Sequence, residues 1–353
     1  MTTAVPTPPG ALERLPKWVI CVPLVVQWAW LALRHGGITV PACANPAITA
    51  GGLVGETKLE YFAGMGPVAR AATARHCALP PAARASPTSI RDTMAAAGLS
   101  FPIVAKPDLG MCGFGVRRID DEASLLRYLS AFPAGQTVVL QEYLPQEGEA
   151  GIFYAREAGA VRGRLIGLAL RFHPQVTGDG VSTVSELVAR DPRVLRGMRR
   201  ADHEVLGDRG LVPAAGTTVR LATVGSTRVG GLYRDGRRFM TPALEVAIDA
   251  IARDMPDFHF GRFDVRFDDT ASLARGEGLR IMEINGAGSE AIEAWDPDTG
   301  LAAAFAIIFA KQRILFEIAA ANRRRGHHPI GLWPLARLHL QQQRLLDAYP
   351  PSN

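Results

Sequence analysis

Apolar and polar positions along this chain alternate with two periods, and the switches between them mark its elements. Residues 101–106 are an apolar run that reads as a strand. A Gly-rich loop follows at 110–115, and 116–119 reads as the return strand. Residues 121–132 keep helical spacing, with Leu125, Leu126 and Leu129 on one side. Residues 137–144 predict a buried strand stopped by Pro145. A strand hairpin is expected over 152–171, and a helix start follows with Ser182 or Thr183 as its cap. Residues 217–239 alternate as strands, with turns at Gly225 and at Asp235-Gly236. Helices are expected over 89–97, closed by Gly98, and over 243–255. Two strands, 261–267 and 279–285, flank a polar loop. The long apolar helix over 299–322 runs into Arg323-Arg324-Arg325 and Gly326, chemistry that suits a helix C-terminus.

The N-terminal part is different. Residues 1–16 are rich in Pro and Thr and read as a loose arm, and 17–80 carry apolar runs broken by Gly and Pro. Residues 80–87 are a Pro-rich linker. The stretch 18–33 is apolar but contains Pro23 and Gln27. It is shorter than the roughly 20 residues a spanning helix needs, and it lacks the small-residue cleavage site of a secretory signal. A buried helix or strand–helix pair is the expectation, with no stable membrane span. Trp28 and Trp30 leave peripheral membrane contact open.

The fold class expected from this order is α+β. Its three parts are an N-terminal α/β domain with a flexible arm (1–85), a small central subdomain bearing the Gly-rich loop (86–145), and a C-terminal subdomain ending in a helix and tail (146–353). At 353 residues, with 48% apolar and 21% charged positions, the composition is that of a folded globular chain. The net charge of +5 is spread out, without a basic stripe interleaved with aromatics. Nucleic acid is therefore not an expected partner, whereas a small polyanion is compatible with the excess. The four cysteines show neither metal spacing nor disulfide density, which suits a reducing, cytoplasmic compartment. Cys112, inside the Gly-rich loop, reads as a small tolerated residue and not as a nucleophile.

Lysine is nearly absent: 4 of the 39 basic residues are Lys and the remaining 35 are Arg. A surviving lysine is a candidate for a task that needs a compact ammonium, such as fitting between phosphate oxygens. Lys106 leads into the loop containing Gly110, Gly113 and Gly115, and Lys58 lies upstream. Glycines let a backbone approach phosphates closely. The loop has no GK[ST] ending and leads into a strand, so it is neither a Walker loop nor a Rossmann fingerprint.

Further along, Arg262, Asp264 and Arg266 share one face of their strand, and Glu283 and Asn285 share a face of theirs. If the strands pair antiparallel, Asp264, Glu283 and Asn285 converge as a hard-oxygen set for magnesium, completed by phosphate oxygens and water. Arg262 would stand beside them, able to hold a negatively charged intermediate. The turn at 286–289, with Gly288 and Ser289, can expose backbone N–H groups to an anion. The strand end Glu142-Tyr143-Leu144 can present amides to an adenine edge, and Glu149 lies just beyond it.

Taken in order, Lys, then Lys-Pro-Asp-x-Gly-x-x-Gly-x-Gly, Gln-Glu-Tyr-Leu, Arg-x-Asp and Glu-x-Asn, the motifs resemble the ATP-grasp superfamily. The resemblance runs from about Lys58 to Asp296 and is closest to carboxylate–amine ligases of the D-alanine–D-alanine ligase type. Residues 173–187, 212–216 and 230–231 also resemble the ATP-grasp part of cyanophycin synthetase. The resemblance implies a nucleotide held between two α+β subdomains, with the Gly-rich loop as a lid. It implies ATP phosphates on Lys58 and Lys106, adenine at Glu142 and Leu144, and ribose at Glu149. It also implies two Mg2+ ions, with Mn2+ an admissible substitute, on Asp264, Glu283 and Asn285. Arg262 would stabilise an acyl phosphate, and Arg171 or His173 would supply a further basic group. The activity it implies is ATP-dependent joining of a small-molecule carboxylate to an amine, and it is compatible with a homodimer. A kinase on the same fold and a membrane-associated nucleotide binder using 18–33 are the other readings. His259 and Trp295 have no assigned part beyond packing or lining the acceptor side.

Overall fold

A computed structural model describes residues 7–84 and 86–353. Of the expected N-terminal arm, residues 1–6 lie outside the described residues, and the remainder carries a short helix, α1 (Ala11–Arg14). Next come α2 (Lys17–His35), α3 (Lys58–Ala63) and α4 (Pro67–Ala72). The central region holds β1 (His76–Leu79), α5 (Pro87–Ala96), β2 (Ile103–Pro107), β3 (Arg117–Ile119), α6 (Glu122–Ala131) and β4 (Val138–Glu142). Then follow β5 (Gly148–Ala155), β6 (Arg164–Phe172), β7 (Gln175–Thr177), α7 (Val184–Arg190), α8 (Pro192–Met198), β8 (Thr218–Arg220) and β9 (Leu232–Asp235). The chain closes with α9 (Pro242–Arg253), β10 (Phe260–Phe267), α10 (Thr270–Arg275), β11 (Arg280–Asn285), α11 (Leu301–Arg324) and α12 (Leu332–Ala348).

The fold is mixed α+β with antiparallel sheets. One sheet runs β1-β4-β2-β3, a second β11-β10-β5-β6-β9, and β7 pairs with β8 in a ribbon. Two apolar cores keep the two main sheets apart as separate layers. The first packs Ile152, Tyr154, Phe263, Val265 and Ile281 of the five-stranded sheet against Leu244, Ile248 and Ile251 of α9. Cutting the fully buried Phe263 back to Ala would cost about 3–5 kcal/mol. The second core packs the four-stranded sheet against α5 and α6 through Ile90, Met94, Leu125 and Leu129.

Helix starts follow local chemistry. Thr183 is the cap of α7 and forms a capping box with Glu186, and Asp121 caps α6 through its bond from the Ser124 amide. Residues 217–239 differ from the expected run of paired strands: β8 joins β7, β9 joins β6, and the segment between them wraps a small core of its own.

Two differences change the organisation. Residues 7–72 contain helices and turns but no strand, and the first strand, β1, adds to β4 of the central sheet. An independent N-terminal α/β domain is therefore replaced by helical segments that pack on the other subdomains. The stretch 18–33 lies within a single helix, neither broken into a strand–helix pair nor buried. The C-terminal segment crosses over as well: Leu346 and Tyr349 pack into the core of the central subdomain. The Ser352 hydroxyl lies in reach of His203 and Arg228.

Candidate active site

The site is built on the polar face of the five-stranded sheet. β10 and β11 pair antiparallel, with Arg262 opposite Asn285 and Asp264 opposite Glu283. A bulge follows immediately, so Ile281 and not Met282 faces Val265. The bulge keeps Ile281 in the core while Glu283 and Asn285 stay on the polar side. It also turns the Met282 carbonyl toward the other subdomain, where it accepts from Lys106 Nζ (2.9 Å) and Gln141 Nε2 (3.2 Å).

Lys106 is buried on β2 and donates to Gln141 Oε1 as well (2.7 Å). Lys58, in the first turn of α3, lies 3.3 Å from Glu283 Oε1. Its helix start is locked in place, because its amide donates to the Asp108 carbonyl (3.1 Å) and the Leu59 amide to the Asp108 carboxylate (3.0 Å). Two lysines from outside the five-stranded sheet thus meet the polar face that β10 and β11 build.

Asp264 is 1% exposed. It accepts from both arms of Arg262 (2.6 and 2.9 Å) and pairs with Arg171 Nη1 (3.1 Å), and the Asn285 amide reaches it at 3.3 Å. Behind it Glu149 is buried among Arg171, Arg266 and His173, each at 3.1 Å. Burial alone would raise the Glu149 carboxyl, but Arg171, Arg266 and His173 outweigh it and hold the group well below the usual carboxylate range. For Glu283, burial is likewise outweighed, by Lys58, Lys106, Arg262 and Arg171. Burial pushes the Lys106 ammonium down to about 7, against the pull of Glu283. Burial lowers His173 despite Glu149, and its Nε2 lies 3.2 Å from Arg266 Nη2 as well. Five cationic side chains (Lys58, Lys106, Arg171, Arg262, Arg266) face three carboxylates (Glu149, Asp264, Glu283). The surplus positive charge suits an entering anion.

Several expected positions carry other duties. Glu149 is enclosed by three basic side chains, so its oxygens do not face a ribose; it anchors Arg171. Glu142 binds the Arg75 amide (2.8 Å), the Arg75 side chain (2.8 Å) and Arg280 (2.6 Å), an inter-sheet clamp. Tyr143 lies under the Arg118 guanidinium, 4.6 Å from its ring centre, and Leu144 is buried. The Gly288 amide already donates to the Gly52 carbonyl (2.6 Å) and the Ser289 amide to the Gly286 carbonyl (3.0 Å). The turn therefore offers neither amide to an oxyanion; what stays without a partner there is the Ser289 hydroxyl. Of the two basic candidates, Arg171 touches Asp264, and His173 sits behind Glu149.

The Gly-rich loop is latched. Arg228 donates to the Cys112 and Gly113 carbonyls (3.1 Å each) and stacks over Phe114. Tyr128 donates to the Gly115 carbonyl (2.8 Å) and Tyr349 to the Leu109 carbonyl (2.6 Å). Gly113 takes a positive φ of +74° with Val224 against it, and Gly115 (φ +68°) lies against Pro107, so neither position tolerates a larger side chain without strain. Gly110 lies 3.7 Å from the Lys58 ammonium, measured from where a Cβ would stand.

Other groups at the site escaped the spacing argument. Gly52 packs so tightly on Gly286 that a Cβ would sit 2.6 Å from its Cα, and buried Asn45 bolts this loop to the Phe260 carbonyl (2.8 Å). Glu56 has an unpartnered buried oxygen, and burial pushes its carboxyl up to about 7. Lys311 pairs with Glu293 and lies 2.9 Å from the centre of the Phe153 ring; burial lowers its ammonium to about 8. Three of the four lysines are thus buried, and the scarcity of Lys was the signal that could have found the third.

Strand register gathers two carboxylates and an amide, side chains of the hard-oxygen type, with Asp264 held by Arg262 and Arg171, Glu283 beside Lys58, and Asn285 turning its amide nitrogen to Asp264. Among the described residues no cluster of three or more His, Cys, Asp or Glu stands ready for a metal, so such an ion would need oxygens from a ligand.

The fold and site together define an α+β protein with two sheets facing each other across a charged seam. No protein-family model matches the chain, and no curated protein sequence does either. Among solved structures it is similar to the D-alanine–D-alanine ligase of Bacillus anthracis, with 15% identity and a TM-score of 0.43, over 79% of this chain and 72% of that one. It is also similar to the D-cycloserine synthetase DcsG, with 15% identity and a TM-score of 0.39, over 73% and 70%. A third is the bifunctional glutathione synthetase of Pasteurella multocida, with 16% identity and a TM-score of 0.35. There the match covers 72% of this chain, which spans about a third (35%) of the synthetase.

Proposed function

We propose that this protein is an ATP-dependent ligase that activates a substrate carboxylate as an acyl phosphate and joins it to an amine. The observation that carries the reading is the register of β10 and β11, which sets Asp264 against Glu283 and Arg262 against Asn285 beneath Lys58 and Lys106. Lys58 and Lys106 bind the phosphates of ATP and draw off the charge that spreads over the transferred phosphoryl group. Asp264, Glu283 and Asn285 would hold magnesium, which when bound neutralises phosphate oxygens. The substrate carboxylate oxygen forms a bond to the γ-phosphorus as the bond to ADP breaks. The amine then attacks the acyl carbon, the carbon–oxygen bond to phosphate breaks, and the amine gives up a proton. Arg262 swings between Asp264 and the developing oxyanion, with the Ser289 hydroxyl as a second donor. Closure of the Gly-rich loop excludes water from the acyl phosphate.

The test is a paired screen. Purified protein with MgATP receives amino acids and small acids, singly and in pairs, and ADP and phosphate are measured. Release of both products only with a productive pair supports a ligase. A stable phosphoester in place of free phosphate would make the protein a kinase, and no nucleotide turnover with any pair would end the reading.

A further inference from the structure

α2 is apolar on every side and buried on only one. No charged side chain lies between Lys17 and Arg34. One flank packs on α11: Ile20 and Leu31 are buried, Gln27 Nε2 donates to the Phe309 carbonyl (2.8 Å), and Trp28 stands edge-on to Phe316. The other flank faces outward along the whole helix through Trp18, Cys21, Val22, Val25, Val26, Trp30 and Leu33. Trp18 is 71% exposed and Leu33 86%. Of the tryptophans, Trp28 is turned inward and donates to the Ile38 carbonyl (3.1 Å); Trp18 and Trp30 stand near opposite ends of the open face. A helix that is apolar all round is normally enclosed by protein or by lipid. Here half of its surface has neither, and a continuous apolar patch of this kind marks an interaction surface.

The rim identifies the occupant. Arg14 and Lys17 are exposed at one end. At the other are Arg34 and the exposed Arg323 and Arg324, with Arg323 donating to the Gly36 carbonyl (2.9 Å). The carboxylate nearest the first end, Glu13, is taken by Arg193 and Arg196. Near the second end the exposed Glu317 stands alone on α11. A second copy of the chain docking here about a two-fold axis would set basic rim against basic rim. An anionic bilayer surface matches both features: acyl chains take the apolar face, aromatic side chains sit at the interface, and headgroup phosphates meet the rim.

We propose that α2 lies in the plane of an anionic lipid bilayer and holds the protein at that surface. α2 is long and apolar enough to cross a membrane by length and composition. Its inward flank stays on α11, so it lies flat.

The experiment is flotation of the full-length protein with phosphatidylcholine vesicles and with mixed phosphatidylcholine–phosphatidylglycerol vesicles. Co-flotation with the mixed vesicles is expected, weakened by salt and by washing in carbonate. Val25→Glu sets a charge in the middle of the open face and should lower binding at least tenfold, with the circular dichroism spectrum unchanged. Arg14→Gln, Lys17→Gln and Arg34→Gln should each cut the affinity about fivefold. Four outcomes would overturn the proposal: no flotation, flotation untouched by Val25→Glu, resistance to carbonate, or a dimer in sedimentation that Val25→Glu dissolves while vesicles are ignored.

Discussion

The polar face of the five-stranded sheet and the outer face of α2 depart from ordinary patterning in opposite directions. The first buries Glu149, Asp264, Arg266 and Lys106 where apolar side chains would be cheaper to place. The second leaves Trp18, Val25 and Leu33 in the open where polar ones would suffice. Both are local conflicts that the surrounding fold tolerates, and conflicts of that sort concentrate at functional surfaces. They differ in what holds them. Glu149, Asp264 and Arg266 each lean on an opposite charge, and Lys106 on the neutral oxygens of Gln141 and Met282, so removing one member disturbs the others. The residues on the outer face of α2 lean on little, so a substitution there should go unnoticed until a partner is present.

The comparison breaks most sharply at Glu283. Glu283→Ala should lower ATP turnover by about a thousandfold or more, because it deletes an oxygen donor and the counter-charge of Lys58. Circular dichroism should stay native. Near-normal kcat in a steady-state ADP assay would remove the site from this face.

Glu149→Ala asks whether the network behind the site supports the fold. It leaves Arg171 and Arg266 buried without their shared carboxylate, and about 3–5 kcal/mol of unfolding free energy should be lost in a denaturant titration. A loss below about 1 kcal/mol would mean that water reaches this layer.

Lys106 gives the pH dependence. Its folded ammonium titrates at about 7, against an ordinary value of 10.5. Between those values the unfolded chain carries a proton that the folded chain does not, so ligand-free stability rises with pH across the window. Below about 7 both states hold the proton and the penalty is complete; above 10.5 neither does and it is gone. Each unit of displacement is worth about 1.4 kcal/mol. Lys106→Met should therefore flatten the slope of stability between pH 7 and 9, measured in EDTA without nucleotide. An unchanged slope would show that Lys106 stays charged in the fold.

How much of this was legible follows from the range of each interaction. The β10–β11 face could be read because strand alternation is local, and Arg262-x-Asp264 and Glu283-x-Asn285 carry it within three residues each. The bulge at Met282 could not, since only the pairing between strands creates it. Glu149 directly precedes Ala150 and Gly151 in a run that reads as an ordinary strand; its three basic partners come from positions 171, 173 and 266. The Gly288 amide read as free because its acceptor, Gly52, lies more than 200 positions upstream. The missing N-terminal sheet has the same cause: whether β1 pairs with a neighbour of its own or with β4 is decided by tertiary contact, not by period. For α2, the apolar run left a buried helix and a strand–helix pair both open, and a stretch without charge says nothing about which half the protein covers.

The smallest effect is the most discriminating between the two regions. Val25→Glu exchanges a side chain that is 64% exposed, and the helix keeps its seat on α11 through Ile20, Gln27 and Leu31. Surface substitutions away from caps, cores and ion pairs stay within about 0.5 kcal/mol. In solution, Val25→Glu should melt with the parent protein and turn over ATP at the same rate. A charge placed on a face that the isolated protein needed to bury would instead lower the melting temperature by several degrees. If Val25→Glu is destabilised to that extent, the outer face of α2 is already covered by this chain or by a second copy of it, and the contrast between a face held by its own charges and a face waiting for a surface disappears.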